Sequence, residues 1–136
     1  MEDCIFCKIV KNEAKSWKVY EDEKVLAFFD ASPVNEYHTL VIPKKHYTNI
    51  LDIPEDELKN VILTARKIAK DYEEKLNLKN FQIIISNGEA AQQDVFHFHL
   101  HIIPRHRGDG QDISFNFHPE YKEKFDVLLK EYKDKS

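Results

Sequence analysis

The sequence predicts an α+β fold: a five-stranded antiparallel meander sheet with one long helix and a C-terminal helix. Three observations carry this expectation. Five short segments rich in β-branched and aromatic residues punctuate the chain. One long stretch after Pro54 repeats its apolar residues at helical spacing. Too few further helices are available to supply the crossovers that parallel strand pairs need.

The first two strands are residues 17–21 and 25–29, which form a hairpin around the polar break Glu21-Asp22-Glu23-Lys24. Residues 38–42 form the third, closed by Pro43, and the stretch Asp30-Ala31-Ser32-Pro33-Val34-Asn35 before it has loop composition. From Pro54, Leu58, Val61, Ile62, Ala65, Ile68, Ala69, Tyr72 and Leu76 mark the apolar face of the long helix. Glu55, Asp56 and Glu57 occupy its first turn, where the helix dipole favours carboxylates. Residues 81–86 and 96–103 are the last two strands, joined by the polar connection 87–94. Residues 105–116 hold Gly108 and Gly110 among few hydrophobes and read as a mobile loop. In residues 120–132, Tyr121, Phe125, Leu128, Leu129 and Tyr132 share one face of the final helix.

At 136 residues the chain has the length of one domain, 1–136, with a core over about 4–105 and a loop and helix over 106–136. Hydrophobic residues at 42% and charged residues at 32%, with three Gly and five Pro, exclude a disordered or low-complexity class. A net charge of -4 gives no broad basic surface, so nucleic acid is a disfavoured partner, while a local phosphate pocket remains compatible. No apolar run approaches the roughly 18 residues of a membrane span. With the polar start Met1-Glu2-Asp3-Cys4, the expectation is no membrane association and a cytoplasmic location. In that reducing setting Cys4 and Cys7 are a metal pair or a redox pair rather than a structural disulfide.

The chemistry concentrates on His97-Phe98-His99-Leu100-His101. Side chains alternate along a strand, so His97, His99 and His101 share one side, and Phe96, Phe98, Leu100 and Ile102 the other. The apolar set anchors the strand, but nothing in a pleat demands three imidazoles opposite it. Imidazole serves near neutral pH as nucleophile, acid, base or metal ligand. Alternate residues lie about 6.6 Å apart, so two can share one metal while all three spread over about 13 Å. A metal-dependent hydrolase would also want carboxylates nearby, and only Glu89 and Asp94 precede the strand at short range. From the residues alone, a nucleophilic, a metal-binding and a purely structural role for the histidines all stay open.

His97-Phe98-His99-Leu100-His101-Ile102-Ile103 resembles the His-x-His-x-His-x-x signature of the histidine triad family. Cys4-Ile5-Phe6-Cys7-Lys8-Ile9, Ala27-Phe28-Phe29-Asp30, the block from His38 to His46 and Asn87-Gly88-Glu89-Ala90-Ala91 resemble further family blocks in the same order. The resemblance covers Cys4 to about Arg105. It implies a nucleotide-binding hydrolase or transferase acting on the α-phosphate of purine nucleotides, such as nucleoside phosphoramidates or related AMP esters. His99 would attack phosphorus and carry a covalent nucleotidyl group, with the carbonyl of His97 fixing its tautomer. His101, Asn87 and the backbone amides around Asp94 and Val95 would meet the charge that develops on the phosphate oxygens, and His101 would also assist the leaving group. His38 would back the triad, Asp30 would take the ribose hydroxyls, and Ile5, Phe6, Ile9, Phe28, Phe29 and Leu40 would form the base pocket.

The resemblance further implies a structural zinc held by Cys4, Cys7, His46 and His97, and a homodimer in which one sheet runs across two subunits. A dinucleoside polyphosphate hydrolase and a nucleotide-binding scaffold with incidental activity share these features. A zinc-binding interaction domain with structural histidines is a further alternative. Two positions depart from the family pattern. Relatives usually have Gly where Gln92 stands, so the loop is expected to bend differently, because Gln does not tolerate positive φ as Gly does. Many relatives have Ser or Thr where Asp94 stands, and a carboxylate there accepts only and repels phosphate oxygens. Asp94 therefore bears on the choice of leaving group.

Overall fold

The computed structural model describes residues 3–135. Its strands are β1 (Lys18–Glu21), β2 (Val25–Phe29), β3 (Thr39–Pro43), β4 (Phe81–Ile84) and β5 (Leu100–Pro104). They form one antiparallel sheet in the order β1-β2-β3-β5-β4. The meander runs through β1, β2 and β3. The long helix α2 (Glu55–Leu76) then carries the chain to the far edge, and β5 returns between β4 and β3. The C-terminal helix α3 (Phe125–Asp134) follows a short 3-10 turn over Pro119–Lys124. Among the described residues no helix is long and apolar enough to cross a membrane.

Local chemistry sets the element ends. Asp22 Oδ1 accepts the N–H groups of Lys24 and Val25, both at 2.8 Å, and so closes the β1–β2 turn. Pro54 precedes α2 in an extended conformation, and Asn77 stops the helix in the left-handed region at φ 56, donating its N–H to Glu73 O. A short helix that the sequence reading did not anticipate, α1 (Ile5–Val10), is capped by Cys4, whose Sγ accepts the Cys7 N–H at 3.4 Å. Six residues do not sustain a helix alone. Phe6 and Ile9 bury their side chains against Leu26, Phe28, Leu40 and Ile42 and hold α1 on the sheet.

The sheet is thus covered on both faces, by α2 on one and α1 on the other. Val25, Ala27, Val41, Leu100 and Ile102 point to the α2 side with Val61, Ala65, Ile68 and Tyr72, while Leu26, Phe28, Leu40 and Ile42 point to the α1 side. Double coverage explains why β2 and β3 are continuous apolar runs rather than alternating ones. His101 alternates with Leu100 and Ile102 and therefore faces α1.

The histidine strand, expected over 96–103, joins the ladder only from Leu100. The Phe98 N–H bonds instead to Tyr47 O at 2.6 Å, in the loop that follows β3. β3 ends at Pro43, which has no N–H to extend the ladder. Phe98 still enters the α2-side core, but Phe96 remains half exposed outside it. Likewise β4 stops at Ile84, short of the expected Ser86.

The start of segment 105–116 is tied down where a mobile loop was expected. Arg105 grips Asp109 through Nε and Nη2, both at 2.7 Å, and Asn35 Nδ2 donates to Asp109 Oδ2 and to Pro104 O, both at 2.9 Å. The Arg105 guanidinium, followed by the His106 N–H, holds the Asp109 carboxyl well below the usual carboxylate range. A depressed carboxylate stabilises the fold above its unfolded-state pKa of about 4 and loses that contribution as pH falls. Asp109→Asn is therefore expected to melt earlier than the unaltered protein at pH 7, with the gap narrowing between pH 5 and pH 2. Parallel melting curves across that range would show that the ion pair does not contribute. Farther along, Phe115, Phe117, Phe125, Leu128, Leu129 and Tyr132 are all exposed, and no residue of α3 is buried.

Candidate active site and metal cluster

A cleft of about 400 Å³ opens on the α1 face of the sheet. Ile5, Phe6, Ile9, Phe28, Phe29, Asp30, His38, Leu40, Asp94, Val95, His99 and His101, all singled out in the sequence, line it together. Asn87 does not line it, and its side-chain Oδ1 accepts the Ile50 N–H at 2.8 Å. His97 is completely buried. Lys15, Ser16, Trp17 and Val34 join the cleft without having been anticipated. The available signal was Trp17, a large aromatic in a polar stretch that stays exposed instead of entering the core. Ser16 Oγ is the one buried side-chain polar atom without a partner among the described residues.

Hydrogen bonds fix which nitrogen of each imidazole is free. His99 Nδ1 lies 2.8 Å from His97 O. A carbonyl only accepts, so Nδ1 carries the proton and Nε2 keeps its lone pair. His99 is 4% exposed, and its Nε2 stands 3.5 Å from Asp94 Oδ1. The Phe6 ring packs edge-on against both His99 and His97, with centroids 5.2 and 5.8 Å apart.

A second relay runs through His38. Its Nδ1 accepts the Val34 N–H at 3.1 Å, which leaves the proton of the neutral ring on Nε2. That Nε2 donates to His101 Nδ1 at 2.9 Å, so His101 in turn carries its proton on Nε2. Burial, with smaller contributions from His99 and His38, pushes His101 down to about 4. Burial also lowers His38, against the opposing influence of Asp30. Both rings are therefore neutral near pH 7, as the relay requires. Asp30 Oδ2 lies 3.4 Å from His38 Nε2 and 3.8 Å from His101 Nδ1.

The loop before the triad does not bend away from the left-handed conformation. Gln92 adopts it, at φ 69 and ψ 27, where L side chains are disfavoured. Gln93, missed in the sequence, holds the loop in place with a buried amide. Its Nε2 donates to Thr48 O at 2.7 Å and Val95 O at 3.1 Å, and its Oε1 accepts the Gly88 N–H at 2.8 Å.

Behind the triad, Cys4, Cys7, His46 and His97 bring their ligand atoms within 4.8 Å of one another. Cys4 Sγ to His97 Nδ1 is 3.4 Å, Cys7 Sγ to His46 Nδ1 3.4 Å, and Cys7 Sγ to His97 Nδ1 3.6 Å. A tetrahedral zinc with bonds of about 2.3 Å to sulfur and about 2.05 Å to nitrogen sets such an edge at about 3.6 Å. His97 Nε2 donates to Pro43 O at 2.8 Å, which aims a proton-free Nδ1 at the sulfurs. Burial pushes His97 down to about 4 and keeps it in the neutral, ligating form. The four side chains fit the ion in number, type and spacing.

The HIT domain family profile matches residues 11–108. An uncharacterized HIT-like protein of Methanocaldococcus jannaschii, MJ0866, is 47% identical over 131 residues, covering 96% of this chain and 98% of that protein. The histidine triad nucleotide-binding protein of Candida albicans superimposes with a TM-score of 0.87 at 31% identity, covering 98% of this chain and 96% of that one. A zinc-bound histidine triad family protein of Mycobacterium smegmatis superimposes with a TM-score of 0.76 at 34% identity, covering 99% of each chain. With His99 and His101 lining the cleft, His97 buried behind them, and relatives of this identity across nearly its whole length, the chain belongs to the histidine triad (HIT) domain family.

Proposed function

We propose that the protein is a nucleotidyl hydrolase that acts on the α-phosphate of purine nucleotides, of the nucleoside phosphoramidate or AMP-ester type, through a covalent nucleotidyl-His99. The observation that carries this reading is the His99 Nδ1 bond to His97 O, which leaves a proton-free Nε2 at the cleft. The base would pack among Phe6, Ile9, Phe28 and Leu40, and Asp30 would accept the ribose hydroxyl protons. Nε2 attacks phosphorus, the bond to the leaving group breaks, and His101 Nε2–H serves the phosphate oxygen or the departing group. His38 positions His101 by fixing its tautomer. Water then releases the nucleoside monophosphate and restores His99. Zinc on Cys4, Cys7, His46 and His97 is structural in this reading, since the four protein ligands leave no open position for substrate.

Adenosine 5′-phosphoramidate provides the test. After a basic quench, mass spectrometry is expected to find an adenylyl adduct on His99 peptides. Bound nucleotide with neither adduct nor turnover would replace the enzyme reading with a binding module.

We also propose a cytoplasmic homodimer, the compartment being one that keeps the ligating thiols reduced. Strand β4 leaves one edge of the sheet unpaired, Ile83 on it is half exposed, and the apolar side chains of α3 lack cover. Light scattering is expected to give twice the chain mass, and a monomer would overturn the proposal.

A further inference from the structure

A second cleft, of about 490 Å³, adjoins the nucleotide cleft; its walls include Asp3, Ile5, Thr48, Asp94, Val95 and Phe96. Ile5, Asp94 and Val95 line both clefts, so the two meet along one wall. On that wall Asp94 Oδ1 is 3.5 Å from His99 Nε2. The Asp94 side chain is 80% exposed and pairs with His99. Ile5 and Phe96 present apolar surface at 45% and 49% exposure. No Lys or Arg lines this cleft, and its carboxylates come from Asp3 and Asp94; Cys4 and His46 of the metal cluster also line it, where two thiolates balance the charge of a zinc ion.

Resting on the nucleotidyl transfer proposed for His99, we infer that this second cleft receives the leaving group and that Asp94 makes it selective for amines carrying a further positive charge. A phosphate brought to His99 meets the Asp94 carboxylate, and like charges at this range repel. An ammonium on the leaving group offsets that repulsion, whereas additional phosphates or a carboxylate add to it. The apolar walls suit the alkyl or aryl body between the two charges. In the step itself the Nε2 lone pair forms the N–P bond, and the P–N bond to the amine breaks. That electron pair stays on the amine nitrogen, which takes a proton from His101 Nε2–H or water. Hydrolysis of nucleotidyl-His99 then yields the nucleoside monophosphate and free imidazole. A polyphosphate leaving group is the class this wall disfavours.

Three adenosine 5′-phosphoramidates isolate the charge: those of 1,4-diaminobutane, n-butylamine and 4-aminobutyrate. At low ionic strength, kcat/KM is expected to fall about 5-fold from the diamine to butylamine and about 5-fold again to the aminobutyrate. In Asp94→Asn the spread should contract to within about 2-fold, and 0.5 M salt should contract it in the unaltered protein. Comparing the same three compounds in both proteins removes differences in their intrinsic reactivity. An equal spread in the two proteins, or a preference for the neutral or anionic compound, overturns the inference and leaves nucleotidyl transfer standing. Absence of turnover and of a His99 adduct with all three compounds overturns nucleotidyl transfer, and this inference with it.

Discussion

His99→Ala is expected to lower turnover by about 10,000-fold or more while the fold and the metal content persist. Loss of a covalent nucleophile removes the chemical step rather than weakening it, which is why such effects run to several orders of magnitude. His99 is separable from the metal cluster. Its ring bonds to the carbonyl of His97, while the zinc-directed atom of His97 is Nδ1 on the side chain. Deleting the His99 ring leaves Cys4, Cys7, His46 and His97 in place. The structural reading of the histidines makes the opposite forecast, namely metal loss or unfolding in the same variant. Single-turnover hydrolysis of adenosine 5′-phosphoramidate, with metal analysis on the same sample, discriminates them. Turnover within 10-fold of the unaltered protein would rule out the covalent route.

The parts of this structure that were legible in the sequence are those whose pattern is local. The continuous apolar runs of β2 and β3 follow from burial on both faces of the sheet, and the periodic face of α2 from burial at every third and fourth residue. Long-range partners decide the rest. Helix α1 is too short for a periodic signal and exists because Phe6 and Ile9 find a sheet face far along the chain. The strand start at Leu100 depends on the carbonyl of Tyr47 capturing the Phe98 N–H. Gln92 holds a conformation its own side chain disfavours, close to where the buried Gln93 amide binds three backbone groups around it. The triad could be read because alternation needs no partner to be seen. The place of His38 behind the triad came from the family resemblance alone, and its bond to His101, between residues 63 positions apart, from the structure.

Removal of zinc should be the largest change in stability available without touching the cleft. The cluster joins three separate segments: Cys4 and Cys7 at the start of α1, His46 after β3, and His97 deep in the core. Without the ion, α1 keeps only its short hydrogen-bonded turn and the packing of Phe6 and Ile9. Structural zinc sites contribute folding free energy directly, and a loss of about 3–4 kcal/mol corresponds to a fall in melting temperature of about 10 °C for a chain of this size. Burial, then the hydrogen bond and charge of Cys4, raise the Cys7 thiol above its ordinary value. Thiols must give up their protons to bind the ion, so below their pKa values apparent affinity should rise with pH by up to about 100-fold per unit for two thiols. Activity should fall along with stability, because Phe6 on α1 packs against His99 and the His97 carbonyl sets its tautomer. Chelation, with melting temperature and single-turnover rate read on one sample, tests both links. An unchanged melting temperature in metal-free protein would refute the structural zinc, while a lower melting temperature with full activity would show that α1 can loosen without disturbing His99.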